Sequence, residues 1–99
     1  MTNVFELTTD PTIEYPQSYL TVVNGVSFLM SFRYNAIEDF LVLTIIRVLD
    51  KQVVYQGKMV SGYSISVYSP NYHYLYFGLM PITTDPENVL IYLLVPGLI

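Results

Sequence analysis

Asn24-Gly25 limits what this chain can become more than any other pair of residues in it. An Asn-Gly step between two β-rich runs marks a two-residue hairpin, because both central residues of a type I′ turn need a positive φ. The runs here are Ser18–Val23 and Val26–Tyr34. Such a turn also sets the register. Val23 is placed opposite Val26, Thr21 opposite Phe28 and Tyr19 opposite Met30 on one face. Leu20 faces Leu29, and Ser18 faces Ser31, on the other. Val26, Phe28, Met30, Phe32 and Tyr34 then line one apolar face. Ser27, Ser31 and Arg33 make the opposite face polar, with Leu29 as its exception. This is the period-two pattern of a half-buried strand.

The alternation fails in the next strand, Phe40–Leu49. Phe40, Val42, Ile46 and Val48 point one way, and Leu41, Leu43, Ile45 and Leu49 the other. A strand that is apolar on both faces needs a cover on both. In a short chain the second cover is expected from another subunit, which makes Phe40 and Val42 candidate interface residues. Between these strands, Asn35–Asp39 is a polar connection. Asp50-Lys51-Gln52 is a turn, and Val53–Tyr55 begins the return, with Gly57 as a bulge or sharp bend and Lys58–Val60 as its continuation. Tyr63–Tyr68 reads as an edge strand or an extended loop. Ser69-Pro70-Asn71 is a turn, Tyr72–Met80 a strand that ends at Pro81, Thr83–Asn88 a turn and Val89–Val95 the last strand. No stretch sustains a 3.6-residue period. The expectation is an all-β chain, a small antiparallel barrel or sandwich of six or seven short strands. Residues 1–17, broken by Pro11 and Pro16, are expected as an extended N-terminal arm in which Val4, Phe5 and Leu7 can dock as a short strand. Residues 18–99 are expected as a single β domain.

Composition says where such a domain faces. Hydrophobic residues are 53% and charged residues 12% of the chain, against about 25% charged in ordinary soluble domains. Ten tyrosines and five phenylalanines are more than one small core can hide. The surplus marks an interaction surface, for which an apolar ring with a polar tip is suited. Tyr63, Tyr68, Tyr72 and Tyr74 join Phe40 and Val42 as the candidate interface. The four bases, Arg33, Arg47, Lys51 and Lys58, form no stripe in a chain of net charge −4, so specific nucleic-acid binding is not expected. The N-terminus lacks the features of a signal peptide, and the apolar runs are too short to cross a bilayer as helices.

Chemistry is sparse. There is no cysteine, and His73 is the only histidine, so neither a thiol site nor a zinc site is expected. A lone histidine within Asn-Tyr-His-Tyr packs among aromatic rings more often than it catalyses. Glu38-Asp39 is the only adjacent acid pair, and an acidic hairpin tip is ordinarily just solvated. No Gly-x-Ser-x-Gly elbow or phosphate-binding glycine loop occurs. No enzyme activity and no cofactor are expected. Two other readings compete with an assembly subunit. One is a free-standing module that binds carbohydrate or a receptor through Tyr63, Tyr68, Tyr72, Tyr74 and Tyr76. The other is a small hydrolase using His73 with Glu38 or Asp39.

The order of motifs carries a resemblance. A hairpin through Asn24-Gly25 closes at Arg33-Tyr34-Asn35, and Phe40-Leu-Val-Leu-Thr-Ile follows. A turn at Asp50, the segment Gly57-Lys-Met-Val-Ser-Gly62 and a late Gly78-Leu79 strand complete it. Residues 17–82 thereby resemble the small baseplate plug proteins of contractile-tailed bacteriophages. Two departures are Phe40, where tryptophan is expected, and the turn at Asp50, which lacks the expected glycine. The resemblance implies a structural virion component of the tail baseplate, present in several copies and packed against hub, tube or spike proteins. It implies no catalysis and no cofactor.

Overall fold

A computed structural model describes residues 2–10, 14–69 and 75–96. The described residues form eight strands: β1 (Thr2–Thr8), β2 (Gln17–Val23), β3 (Val26–Asn35), β4 (Phe40–Arg47), β5 (Gln52–Lys58), β6 (Ile65–Tyr68), β7 (Leu75–Asp85) and β8 (Asn88–Pro96). They make two four-stranded antiparallel sheets, ordered β1-β8-β7-β6 and β2-β3-β4-β5. The architecture is a sandwich. The strand beyond the expected six or seven is β1, which extends the first sheet by pairing along β8 from Thr2–Pro96 to Thr8–Leu90.

The Asn-Gly hairpin forms as its chemistry requires. Asn24 and Gly25 take φ of 49° and 82°, and the register places Val23 on Val26, Leu20 on Leu29 and Ser18 on Ser31. The turn between β4 and β5 solves the same problem without glycine. Lys51 takes φ 56°, and the Asp50 carboxylate accepts the Gln52 backbone N–H at 3.3 Å.

The core lies between the sheets. From the second sheet come Phe28, Met30 and Phe32 of β3 and Leu41, Leu43 and Ile45 of β4. From the first come Val67, Phe77 and Leu79 and the alternate β8 residues Val89, Ile91, Leu93 and Val95. Phe28 is the hub, with its ring edge-on to Tyr76 at 5.0 Å and to Phe77 at 5.1 Å. Such edge contacts add to the apolar burial of each ring.

Three bulges decide which residues face inward. Ile45 pairs with Tyr55 but Ile46 with Val53, which leaves Val54 as the extra residue. The bulge expected at Gly57 is therefore three residues earlier. Gly57 serves another purpose: a Cβ there would lie 2.8 Å from the Tyr55 hydroxyl oxygen. In β7, Val67 pairs with Phe77 and Tyr68 with Leu75, so Tyr76 is inserted and turns inward beside Phe77. Pro81, expected to end this strand, is buried inside it. Ile82 is the inserted residue just after it, and a bulge is where a strand tolerates a missing N–H. The turn that follows is correspondingly short, with Asp85 and Asn88 already in strands.

Phe28→Ala is expected to destabilise the fold by about 3–5 kcal/mol in urea unfolding, because it empties the space between Tyr76 and Phe77. Lys51→Gly is expected to stabilise it by about 0.5–1 kcal/mol in the same assay, since glycine reaches a positive φ without steric cost.

Candidate protein interface

The outer face of the second sheet carries the apolar surplus. Cross-strand register aligns Leu20 with Leu29, Leu29 with Ile46 and Ile46 with Val53. These four form an apolar row across the whole sheet. Leu20 and Val53 are exposed and Leu29 and Ile46 half-buried. Val22, opposite Ser27, widens it on one side, and Val48 reaches the same level through its N–H bond to the Ser27 carbonyl at 3.0 Å. Beyond the row lies a polar one, Ser18–Ser31–Thr44–Gln56. Next comes Arg33–Val42–Lys58. The Lys58 ammonium stands 4.7 Å from the centre of the Phe40 ring, a cation–π contact that holds a charge over an apolar surface.

The outer face of the first sheet is also partly apolar. Val4 aligns with Leu94 and Leu94 with Gly78, while Glu6, Tyr92 and Met80 form the next row. Leu94, Tyr92 and Met80 are half-buried. Along the open seam between β1 and β2 run two grooves of about 340 and 310 Å³. Phe5, Leu7, Val22, Val23, Leu93 and Val95 line the larger with Thr21 and Asn24.

Charge is unevenly distributed along the molecule, although Arg33 and Lys58 stand on the same side as most of the acids. Asp10, Glu14, Glu38, Asp39, Asp85 and Glu87 lie in, or beside, the connections at one end of the sandwich. Hydrogen bonds tie this end together. The Tyr15 hydroxyl donates to the Pro86 carbonyl at 2.7 Å, and Gln17 donates its side-chain N–H to the Asp10 carbonyl at 2.8 Å. The Tyr34 hydroxyl donates to Asp39 at 2.5 Å. That bond first, then burial and the charges of Asp39 and Asp85, raises the Tyr34 pKa above its ordinary value. The opposite end holds Arg47, Asp50 and Lys51. Arg47 grips Asp50 with two nitrogens and donates to the Tyr76 hydroxyl at 2.8 Å. One side chain thus links the turn after β4 to the opposite sheet.

These surfaces lie on a chain whose relatives build a virus. Residues 4–94 match the family model of the cyanophage baseplate Pam3 plug gp18. The chain belongs to this baseplate plug family. It is a structural component of a phage tail baseplate, and its place is the virion. No curated protein and no solved structure matches it. For a baseplate plug, the informative parts of the molecule are the faces it turns outward.

The residues singled out in the sequence do not converge. Phe40 and Val42 sit together on the outer face of β4, as the failed alternation of that strand implied. Tyr63 is exposed in the loop before β6, and Tyr68 stands at the end of β6. Tyr68 lines a shallow pocket with Val53, Tyr55 and Ser69. Tyr72, Tyr74 and His73 lie outside the described residues. Tyr76 is in the core and takes no part in a surface platform. Glu38 and Asp39 are exposed, and Asp39 is engaged by Tyr34. The row Leu20–Leu29–Ile46–Val53 was missed, although Leu29 had signalled it as the apolar exception on a polar face.

The Arg47 hydrogen bonds hold the Asp50 carboxyl below its ordinary pKa of 3.8. A depressed folded-state value contributes stability that is complete above the unfolded value and disappears as pH falls through the folded one. Asp50→Asn is expected to lower Tm at neutral pH. Calorimetry across pH should show that difference closing once the wild-type carboxyl protonates, below about 3.8.

Proposed function

We propose that the chain packs through the outer face of its second sheet against a hub, tube or spike protein of a contractile tail, in several copies around the baseplate. The observation that carries this reading is the apolar row Leu20–Leu29–Ile46–Val53, which crosses the sheet with Leu20 and Val53 exposed. An apolar strip flanked by polar side chains is the usual form of a protein-binding patch. Phe40 and Val42, with Lys58 over the Phe40 ring, form its rim toward the acidic end. Tyr63, Tyr68, Tyr72 and Tyr74 are assigned contacts with further neighbours, Tyr68 beside the Val53 end of the row, with which it shares a pocket. The role is adhesive: burial of apolar faces holds the plug in place, and no chemical step is involved.

The test replaces Ile46 by Glu in the phage. Ile46 lies on the outer face, so the isolated variant should keep its β-sheet circular dichroism. Mass spectrometry of purified particles should find the chain lost from the tail. Normal incorporation of a folded Ile46→Glu chain would refute this surface as the docking face.

A further inference from the structure

Two four-stranded sheets leave four edge strands, and a free edge is a template for another strand. Three of the four carry devices that discourage this. β1 has Glu6 near its middle. β5 has the bulge at Val54 and ends in Lys58. β6 has only 4 residues and an irregular register against β7. β2 has none of these. Gln17–Val23 contains no charge and no proline, and it pairs with β3 without a bulge.

The hairpin fixes which backbone groups of β2 are free. In a two-residue hairpin the residues that flank the turn form a hydrogen-bonded pair, and such pairs then alternate along the ladder. Val23, Thr21, Tyr19 and Gln17 therefore direct their N–H and C=O groups toward β3. Ser18, Leu20 and Val22 direct theirs to the open edge.

We propose that two free copies of this chain pair antiparallel through β2, about a two-fold axis at Leu20. In this register Leu20 faces Leu20 of the second copy, and Ser18 faces Val22 in both directions. Every outward backbone group between Ser18 and Val22 then meets a partner. A slip by two residues strands some of these groups, and an odd slip puts the wrong face outward. The side chains agree with the backbone. Leu20 and Val22 are 65% and 62% exposed, and the row Val53–Ile46–Leu29–Leu20 runs without interruption into its copy. Charge selects the direction. Antiparallel pairing sets the acidic end of one chain beside the end of the other that holds Lys51 and the Arg47–Asp50 ion pair, whereas parallel pairing would oppose two acidic ends. The product is one continuous eight-stranded sheet whose outer face stays open. It is a property of the free chain, so it stands or falls separately from the baseplate contact proposed above.

Light scattering of the purified full-length chain tests this. Wild type should show twice the chain mass. Leu20→Lys and Leu20→Glu place like charges opposite each other at the axis, so each alone should show the single mass with unchanged circular dichroism. An equimolar mixture of the two variants should restore the doubled mass. Hydrogen exchange at the Ser18, Leu20 and Val22 amides should be roughly tenfold faster in Leu20→Lys than in wild type, while Tyr19 and Thr21 stay protected. A wild-type chain at the single mass at all concentrations, or a Leu20→Lys chain at the doubled mass, would overturn the proposal. So would a mixture that stays at the single mass.

Discussion

Everything in this molecule follows from packing two sheets face to face around Phe28. The ring fills the space between Tyr76 and Phe77 of the opposite sheet. Stacked sheets generally pack about 10 Å apart, the spacing at which side chains interdigitate. A sandwich this thin gives each strand one inner and one outer face. With 53% hydrophobic residues, the chain cannot place all its apolar side chains inside. The apolar outer rows are thus a consequence of the architecture.

Bulges adjust this economy residue by residue. Inserting Tyr76 opposite the Val67–Tyr68 step brings two consecutive rings into the core, which strict alternation forbids. Arg47 then reaches across to the Tyr76 hydroxyl, so the same irregularity joins the turn after β4 to the first sheet. Val54 performs the corresponding adjustment at β5, where the shift places Val53 at the end of the apolar row.

Charge is also unevenly distributed. Acids gathered at one end give the elongated molecule, 41 Å in its longest dimension, a direction. Long-range charge acts before contacts form, so an asymmetry of this kind favours one orientation of an approaching charged surface over the other.

The hairpin register was legible in the sequence because a two-residue turn leaves no freedom: Asn24-Gly25 determined every pair from Ser18–Ser31 to Val23–Val26. The all-β class and the doubly apolar β4 were legible for the same local reason, period-two patterning. The family resemblance was legible in the motif order from Gln17 to Gly78, and the family model spans it. What could not be read were the bulges, the pairing of β1 with β8, and the neighbours across each sheet. Tyr76 looked like one more surface tyrosine because an inserted residue changes face without changing its sequence neighbours. Leu29 looked like an isolated exception because Ile46 and Val53 reach it only through long-range register. Sequence alone therefore determined the local geometry and the excess of apolar surface, since both depend on near neighbours and composition. Only the tertiary structure decided where that excess gathers, because a cross-strand row is made of residues that the chain itself keeps far apart.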